Sequence, residues 1–345
     1  MKALFLTETG KLQVHDVSMR EQLTFGNVRI RVKKVGICGS DLHYFKHGHI
    51  GAQIVSYPFI LGHECSGIVE ETGEGVTHVK PGDHAFIDPS ISCGRCIYCH
   101  AGRRNLCLSN LFLGTPPQPG AYRQFIDMPA ENVFRVDRRL DLNEVAMIEP
   151  FSIGLYAVST LGQVTAGDVV SVQGCGGIGL VTIQAAKLAG AARIIAFDRV
   201  QERLEAAKKI GADEAVNVDS VPPLTAVERF TKGSGVDVAF ECSGSLDAIE
   251  KIVRLPRSGG RVVFIGSPEE DLMSFPPDIS RRKGLVMYFC RRTNDMVARA
   301  ITLLEGNRAN LGLLTTHTFT PEEATTAFDK AIKYSEGIIR GVISF

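Results

Sequence analysis

The 345-residue sequence carries no net charge, with Lys plus Arg and Asp plus Glu at 38 each. That balance excludes a global field able to draw nucleic acid or anionic lipid. No apolar run approaches the roughly 18 residues needed to cross a bilayer. The opening "MKALFLTETGK" has too short an apolar stretch for a signal peptide. The expected location is the cytoplasm, where thiols stay reduced, with no nucleic-acid and no membrane partner. Low-complexity tracts, long charge blocks and fixed-period repeats are missing too. The cysteine count of nine is odd, so clustered cysteines read better as metal ligands than as disulfides.

What is present comes in two textures. Up to about residue 150 short strands are broken by turns. "NVRIRVKK" alternates Val28, Ile30 and Val32 with Arg29, Arg31 and Lys33, the period of a half-buried strand. Beyond that, apolar runs at 168–173, 192–197, 236–241, 261–266 and 284–289 alternate with helical stretches such as "RVQERLEAAKKIGAD". Near-continuous apolar strands predict burial on both faces, hence a parallel sheet between helices. From about residue 292 the chain returns to a helix, a strand and a further helix. The expected fold class is α/β: a β-rich domain of residues 1–153 and 292–345, interrupted by a doubly wound parallel-sheet domain of 154–291.

The run "DVVSVQ" leads into "GCGGIG" and then into the amphipathic "IGLVTIQAAKLAG". A strand, a G-x-G-x-x-G turn and a helix in this order form a dinucleotide-binding fingerprint. Gly174 permits the turn, Gly176 lets the backbone approach a pyrophosphate, and Gly179 allows helix–strand packing. The helix N-terminus offers free N–H groups to the phosphates. Asp198, 24 residues beyond Gly174, ends the next strand, where a carboxylate accepts ribose hydroxyls and repels a 2′-phosphate. NAD is therefore expected over NADP. Gly177, Ile178, Arg203, Cys242 and Gly266 complete the candidate cofactor contacts.

Cys93, Cys96, Cys99 and Cys107 follow C-x2-C-x2-C-x7-C. Four thiolates close a tetrahedral zinc site with no position left for substrate. An iron–sulfur cluster is the competing reading, disfavoured by the long last spacing and by the absence of Pro after Cys107. Elsewhere, Cys38 comes with Ser40 and His43 in one segment, and His63, Glu64 and Glu149 lie in others; Cys38, His63, Glu64 and Glu149 supply the mixed donors that a catalytic zinc with an open position uses. Singly, each of these could be an ordinary core or helix-start residue.

"GHECSGIVEETGEGV" fits the signature G-H-E-x2-G-x5-G-x2-V, and "CGSDLHYFKHGHIG", "GRRNLC" and "EPFSIGLYAV" extend the match. The whole chain thereby resembles the zinc-dependent medium-chain dehydrogenase/reductase family, most of all its sorbitol (polyol) dehydrogenase branch. The resemblance implies a GroES-like domain carrying both zincs and a Rossmann domain binding NAD. It implies catalytic zinc on Cys38, His63 and a glutamate, with the choice between Glu64 and Glu149 open, and a proton route from Ser40 to His43. It implies that Tyr44, Phe112 and Thr115 line the substrate pocket, although an aromatic core plus a turn threonine reads equally well from the residues. The polyol branch tends to show Phe-Arg-Tyr where this chain has Phe289-Cys290-Arg291-Arg292. Arg291 is thus a candidate substrate residue, and its guanidinium leaves room for a sugar acid or sugar phosphate beside a polyol. The activity implied is oxidation of a secondary hydroxyl to a ketone with hydride passing to NAD. The family also implies a dimer or tetramer joined along "GLVMYF".

Overall fold

The computed structural model describes every residue except 20 and 271. The chain divides into two compact units: residues 1–149, 301–307 and 314–345, and residues 150–300 with 308–313. The tail thus rejoins the first unit at 301 rather than 292, and a short segment near 310 packs with the second unit.

The first unit is built on a seven-stranded sheet. Its strands run Val133–Arg135, His84–Ile87, Glu64–Thr72, Asn27–Gly36, Arg340–Ser344 and Thr315–Phe319, with Phe125–Pro129 also paired to Asn27–Gly36. Val28, Ile30 and Val32 point into the core as the alternation requires. Arg29 departs from it: it is 3% exposed. Burial is possible because its Nε and Nη2 donate to both oxygens of Asp127 at 2.8 and 3.0 Å, and Nη1 donates to Glu71 at 3.1 Å. A paired, hydrogen-bonded guanidinium can be taken out of water where a bare one cannot. Arg31 stays exposed and binds Glu70 through two nitrogens.

Register on this sheet positions the later chemistry. Gly36 lies opposite Glu64 on antiparallel strands, and a Cβ at Gly36 would overlap a Glu64 carboxylate oxygen and sit 2.7 Å from Met147. Only glycine lets the Glu64 side chain cross the end of the strand. Two residues later Cys38 opens the helix Gly39–His47.

The second unit holds a six-stranded, wholly parallel sheet. Its order is Glu214–Asn217, Arg193–Asp198, Val169–Gln173, Val236–Glu241, Pro256–Phe264, Val286–Phe289. Val170, Val172, Ile194, Ile195, Val238, Phe240, Val262 and Val263 are all buried, as strands covered on both faces must be. The helix Gln201–Ile210 carries Lys208 and Lys209 in its last turn and stops at Gly211, whose φ is 132°. The last strand pairs on one side only among the described residues, and it leaves Val286 and Phe289 exposed. No helix of the described residues is long and apolar enough to cross a membrane.

Candidate metal and dinucleotide sites

In the first unit, Cys38, His63 and Glu64 come together, one ligand atom from each lying within 4.8 Å of the others. Three scaffolding contacts arrange them. The buried Asp41 carboxylate accepts the Cys38 N–H at 3.0 Å and the Gly62 N–H at 3.1 Å, tying the two ligand-bearing segments together. The Tyr122 hydroxyl donates to the same carboxylate at 3.2 Å. Arg340, arriving on the last strand, donates from Nη1 to the Ile37 carbonyl at 3.0 Å, and its Nη2 lies 3.1 Å from Glu64 Oε1.

The donor set is uncomfortable without a cation. Burial first, then the Glu64 carboxylate, pushes the Cys38 thiol up to about 12. Burial likewise pushes Glu149 up to about 8, with Glu64 and Cys38 acting in the same sense and His63 against it. His63 Nδ1 and both Glu64 oxygens are buried without a hydrogen-bond partner. His63 Nδ1 is 3.7 Å from Asp41 Oδ1, an ion-pair separation too long for a hydrogen bond. A half-buried thiol, with a buried imidazole and carboxylate that have unspent lone pairs, is the donor set a zinc ion takes, so the residues fit the metal. Glu149 is buried but stands outside the 4.8 Å group.

Around this set, the Ser40 hydroxyl lowers the Cys38 thiol's pKa against the effect of burial, and His43 lies half-buried one turn on, its ring 6.1 Å from that of His47. The Phe112 ring packs 5.3 Å from the His63 ring. Thr115 follows in a turn, its N–H donating to the Phe112 carbonyl. Tyr44 is 1% exposed within the main core, with its hydroxyl donating to Gln53. Arg291 is an exposed residue of the second unit.

The four cysteines of the 93–107 loop also converge within 4.8 Å. Cys96 and Cys99 sulfurs are 3.5 Å apart, and those of Cys93 and Cys99 are 4.0 Å apart. Zinc–sulfur bonds of about 2.3 Å in a tetrahedron require sulfurs about 3.8 Å apart, so this spacing suits one ion. It is far too long for a disulfide. Backbone N–H groups, that of Leu108 first and Cys99 second, pull the Cys96 thiol down to about 6, while burial and Cys96 push Cys99 up to about 11.

In the second unit, Gly174 follows its strand with φ at +88°, and a Cβ at Gly179 would overlap the Gly174 carbonyl oxygen. A Cβ at Gly176 would meet nothing nearer than Arg203 Nη1 at 3.8 Å. That position is kept open rather than packed, as close approach of a pyrophosphate demands. Gly177 and Ile178 open the helix Gly177–Leu188. The Asp198 carboxylate accepts the Cys175 N–H at 2.7 Å and the Arg199 and Val200 N–H groups at 2.8 and 2.9 Å. It therefore fixes the glycine loop to the end of the neighbouring strand. Cys242 lies half-buried with Sγ 3.8 Å from Thr182 Oγ1, and the Gly266 N–H donates to the Glu241 carbonyl.

Sequence reasoning missed Asp41, Arg340 and Glu241. Asp41 had a signal, an acid three residues past Cys38 at a helix start. Arg340 had none.

Comparison with known proteins gives the following. Residues 25–138 match the alcohol dehydrogenase GroES-like domain, and residues 177–306 match the family described as zinc-binding dehydrogenase. The chain is 34% identical over 343 residues to a sorbitol dehydrogenase of Bacillus subtilis (strain 168), covering 99% of this chain and 97% of that one. It is 34% identical over 321 residues to an L-idonate 5-dehydrogenase of Vitis vinifera, covering 90% and 86%. Its fold superposes with a TM-score of 0.89, at 29% identity and covering 100% and 99%, on a short chain alcohol dehydrogenase from E. coli CFT073 complexed with the cofactor NADH.

Proposed function

This chain belongs to the zinc-binding dehydrogenase family, and we propose that within it the chain oxidises a secondary hydroxyl of a polyol to a ketose, passing hydride to NAD. The observation that carries the reading is the converging set of half-buried Cys38 and buried His63 and Glu64 in a chain whose second unit has an open glycine loop backed by Asp198. Zinc supplies Lewis-acid chemistry toward a hydroxyl, and NAD supplies the hydride acceptor. Cys38, His63 and Glu64 would hold the catalytic ion, with Glu149 within electrostatic reach. Asp41 fixes the two ligand segments, and Arg340 offsets their negative charge.

Ser40 and His43, three residues apart on one helix, share a helical face and form the proton's route outward. The Phe112 ring covers His63 and keeps water from it. Cys93, Cys96, Cys99 and Cys107 would hold a structural ion whose four positions are all filled by thiolates, so this lobe braces and does not react. The free edge of Val286–Phe289, with its exposed apolar ends, is the surface we assign to a homo-oligomer, tested by light scattering. The reduced-thiol chemistry of both cysteine sets fits a cytoplasmic home.

The test is a panel of polyols, aldonates, phosphorylated polyols and threonine, read as NADH absorbance. Turnover confined to polyols supports the proposal. Preference for an aldonate favours the second reading, a sugar-acid dehydrogenase, which rests on the Arg291–Arg292 pair and the likeness to the idonate enzyme.

A further inference from the structure

We infer that Glu241 is a positioning residue for the dinucleotide: its buried carboxylate shapes the turn Cys242–Gly244 that walls one side of the glycine loop. This inference rests on the reading of the second unit as an NAD site.

Glu241 ends the strand Val236–Glu241, in register with Gln173, the residue before the glycine loop. It is fully buried. Oε1 accepts the Ser243 N–H at 2.8 Å, the Ser243 hydroxyl in a short bond and the Gly244 N–H at 3.2 Å; Oε2 accepts the Gly244 N–H at 3.1 Å. One carboxylate thus closes the whole turn by charge-assisted bonds, the strong class. Its backbone carbonyl accepts the N–H groups of Ile265 and Gly266 at 2.8 and 2.9 Å, so the same residue also fixes the end of the neighbouring strand.

The turn it shapes touches the cofactor loop directly. A Cβ on Gly174 would lie 2.8 Å from the Cα, Cβ and N of Ser243. The Cys242 N–H bonds the Gln173 carbonyl at 2.8 Å, and its sulfur reaches Thr182 on the helix that follows the loop. Gly266 packs on Gly244, whose φ is +70°, so closely that a Cβ on Gly266 would overlap the Gly244 nitrogen and sit 2.6 Å from Glu241 Oε2. Burial holds the carboxyl above its usual range, and the Ser243 and Gly244 donors oppose that rise. Paying for such a group where an apolar one would pack has a purpose at the loop that must keep its shape for a ligand.

The test uses the full-length, zinc-loaded protein with NADH fluorescence titration and amide hydrogen exchange. Glu241→Gln keeps the shape and, with its amide oxygen on the Ser243 N–H, puts an NH2 donor opposite the Gly244 N–H and removes the charge from the turn. The expected result is about tenfold weaker NADH binding, equal to about 1.4 kcal/mol, with faster exchange at Ser243 and Gly244 and unchanged zinc content. Ser243→Ala, which spares the carboxylate and guards against loss of folding, is expected to shift the same exchange and weaken NADH two- to threefold. Wild-type affinity in folded Glu241→Gln overturns the inference. Absence of NADH binding by the wild type would instead overturn the reading on which it rests.

Discussion

Replacing Arg340 with Met tests the electrostatic account of the metal-binding set. The guanidinium is 6% exposed and faces four acidic groups. Burial alone would lower its pKa, but Glu64, Cys38, Glu149 and Asp41 together hold it above its usual value. Its Nη2 lies 3.1 Å from Glu64 Oε1, yet neither that nitrogen nor Nε makes a hydrogen bond, so the attraction is charge to charge. At an effective dielectric near 20, unit charges at that distance attract by about 5 kcal/mol, a gain that the desolvation of both groups largely cancels. Removing one partner is different, because it strands the other. Breaking a buried pair costs about 3–5 kcal/mol.

Met preserves the stem's packing, so the metal-free variant should lose about that much by denaturant unfolding. The zinc-loaded variant should lose clearly less, since a dication takes over the compensation of Glu64. Arg340→Lys, which keeps the charge, should fall between the two in the metal-free state. Equal losses with and without zinc, or no loss at all, would refute the Coulombic argument and leave Arg340 a packing residue.

Cys107→Ser should lower bound zinc from two ions per chain to one by metal analysis and make the 93–107 loop protease-sensitive, while the Cys38 set keeps its ion. The two glycine positions should separate cleanly. Gly179→Ala forces a Cβ into the Gly174 carbonyl and should cost about 1–3 kcal/mol or more in unfolding, whereas Gly176→Ala has room and should leave the melting temperature nearly unchanged but abolish tight NADH binding. Asp198→Ala removes an acceptor of three backbone N–H groups as well as the carboxylate we propose for the ribose. By fluorescence titration it should weaken NAD by roughly 2 kcal/mol, about thirtyfold, and narrow the gap to NADP. Wild-type kinetics that are equal or better with NADP would sink the assignment of that carboxylate.

The parts of this molecule legible in its sequence are those whose signals are local. The glycine loop, Asp198 and the four cysteines lie within short windows, and their spacing follows from one turn or one tetrahedron. The parallel strands announced themselves as apolar runs because both of their faces are covered. Arg29 was misread for a physical reason: period-two alternation reports hydrophobicity, and a guanidinium with two carboxylates in reach can occupy a core position.

Arg340 was invisible for a further reason, and the cause is general to buried charge. Its partners, Glu64 and the Ile37 carbonyl, are brought to it by the sheet. Gly36 stands opposite Glu64, and Val342 stands opposite Gly36 on the other side, so a residue 303 positions from Ile37 becomes its hydrogen-bond donor. No window on the sequence contains that pair. The metal ligands could be recognised one by one, but their charge balance is a property of the strand register. A substitution that shifts the last strand by one residue would turn Arg340 to the opposite face and unbalance the site without touching a ligand. Insertion of one residue between Gly341 and Val342, with Val342 still opposite Gly36, should therefore reproduce the metal-dependent instability of Arg340→Met, and a stable metal-free insertion variant would show that register does not set the site's charge.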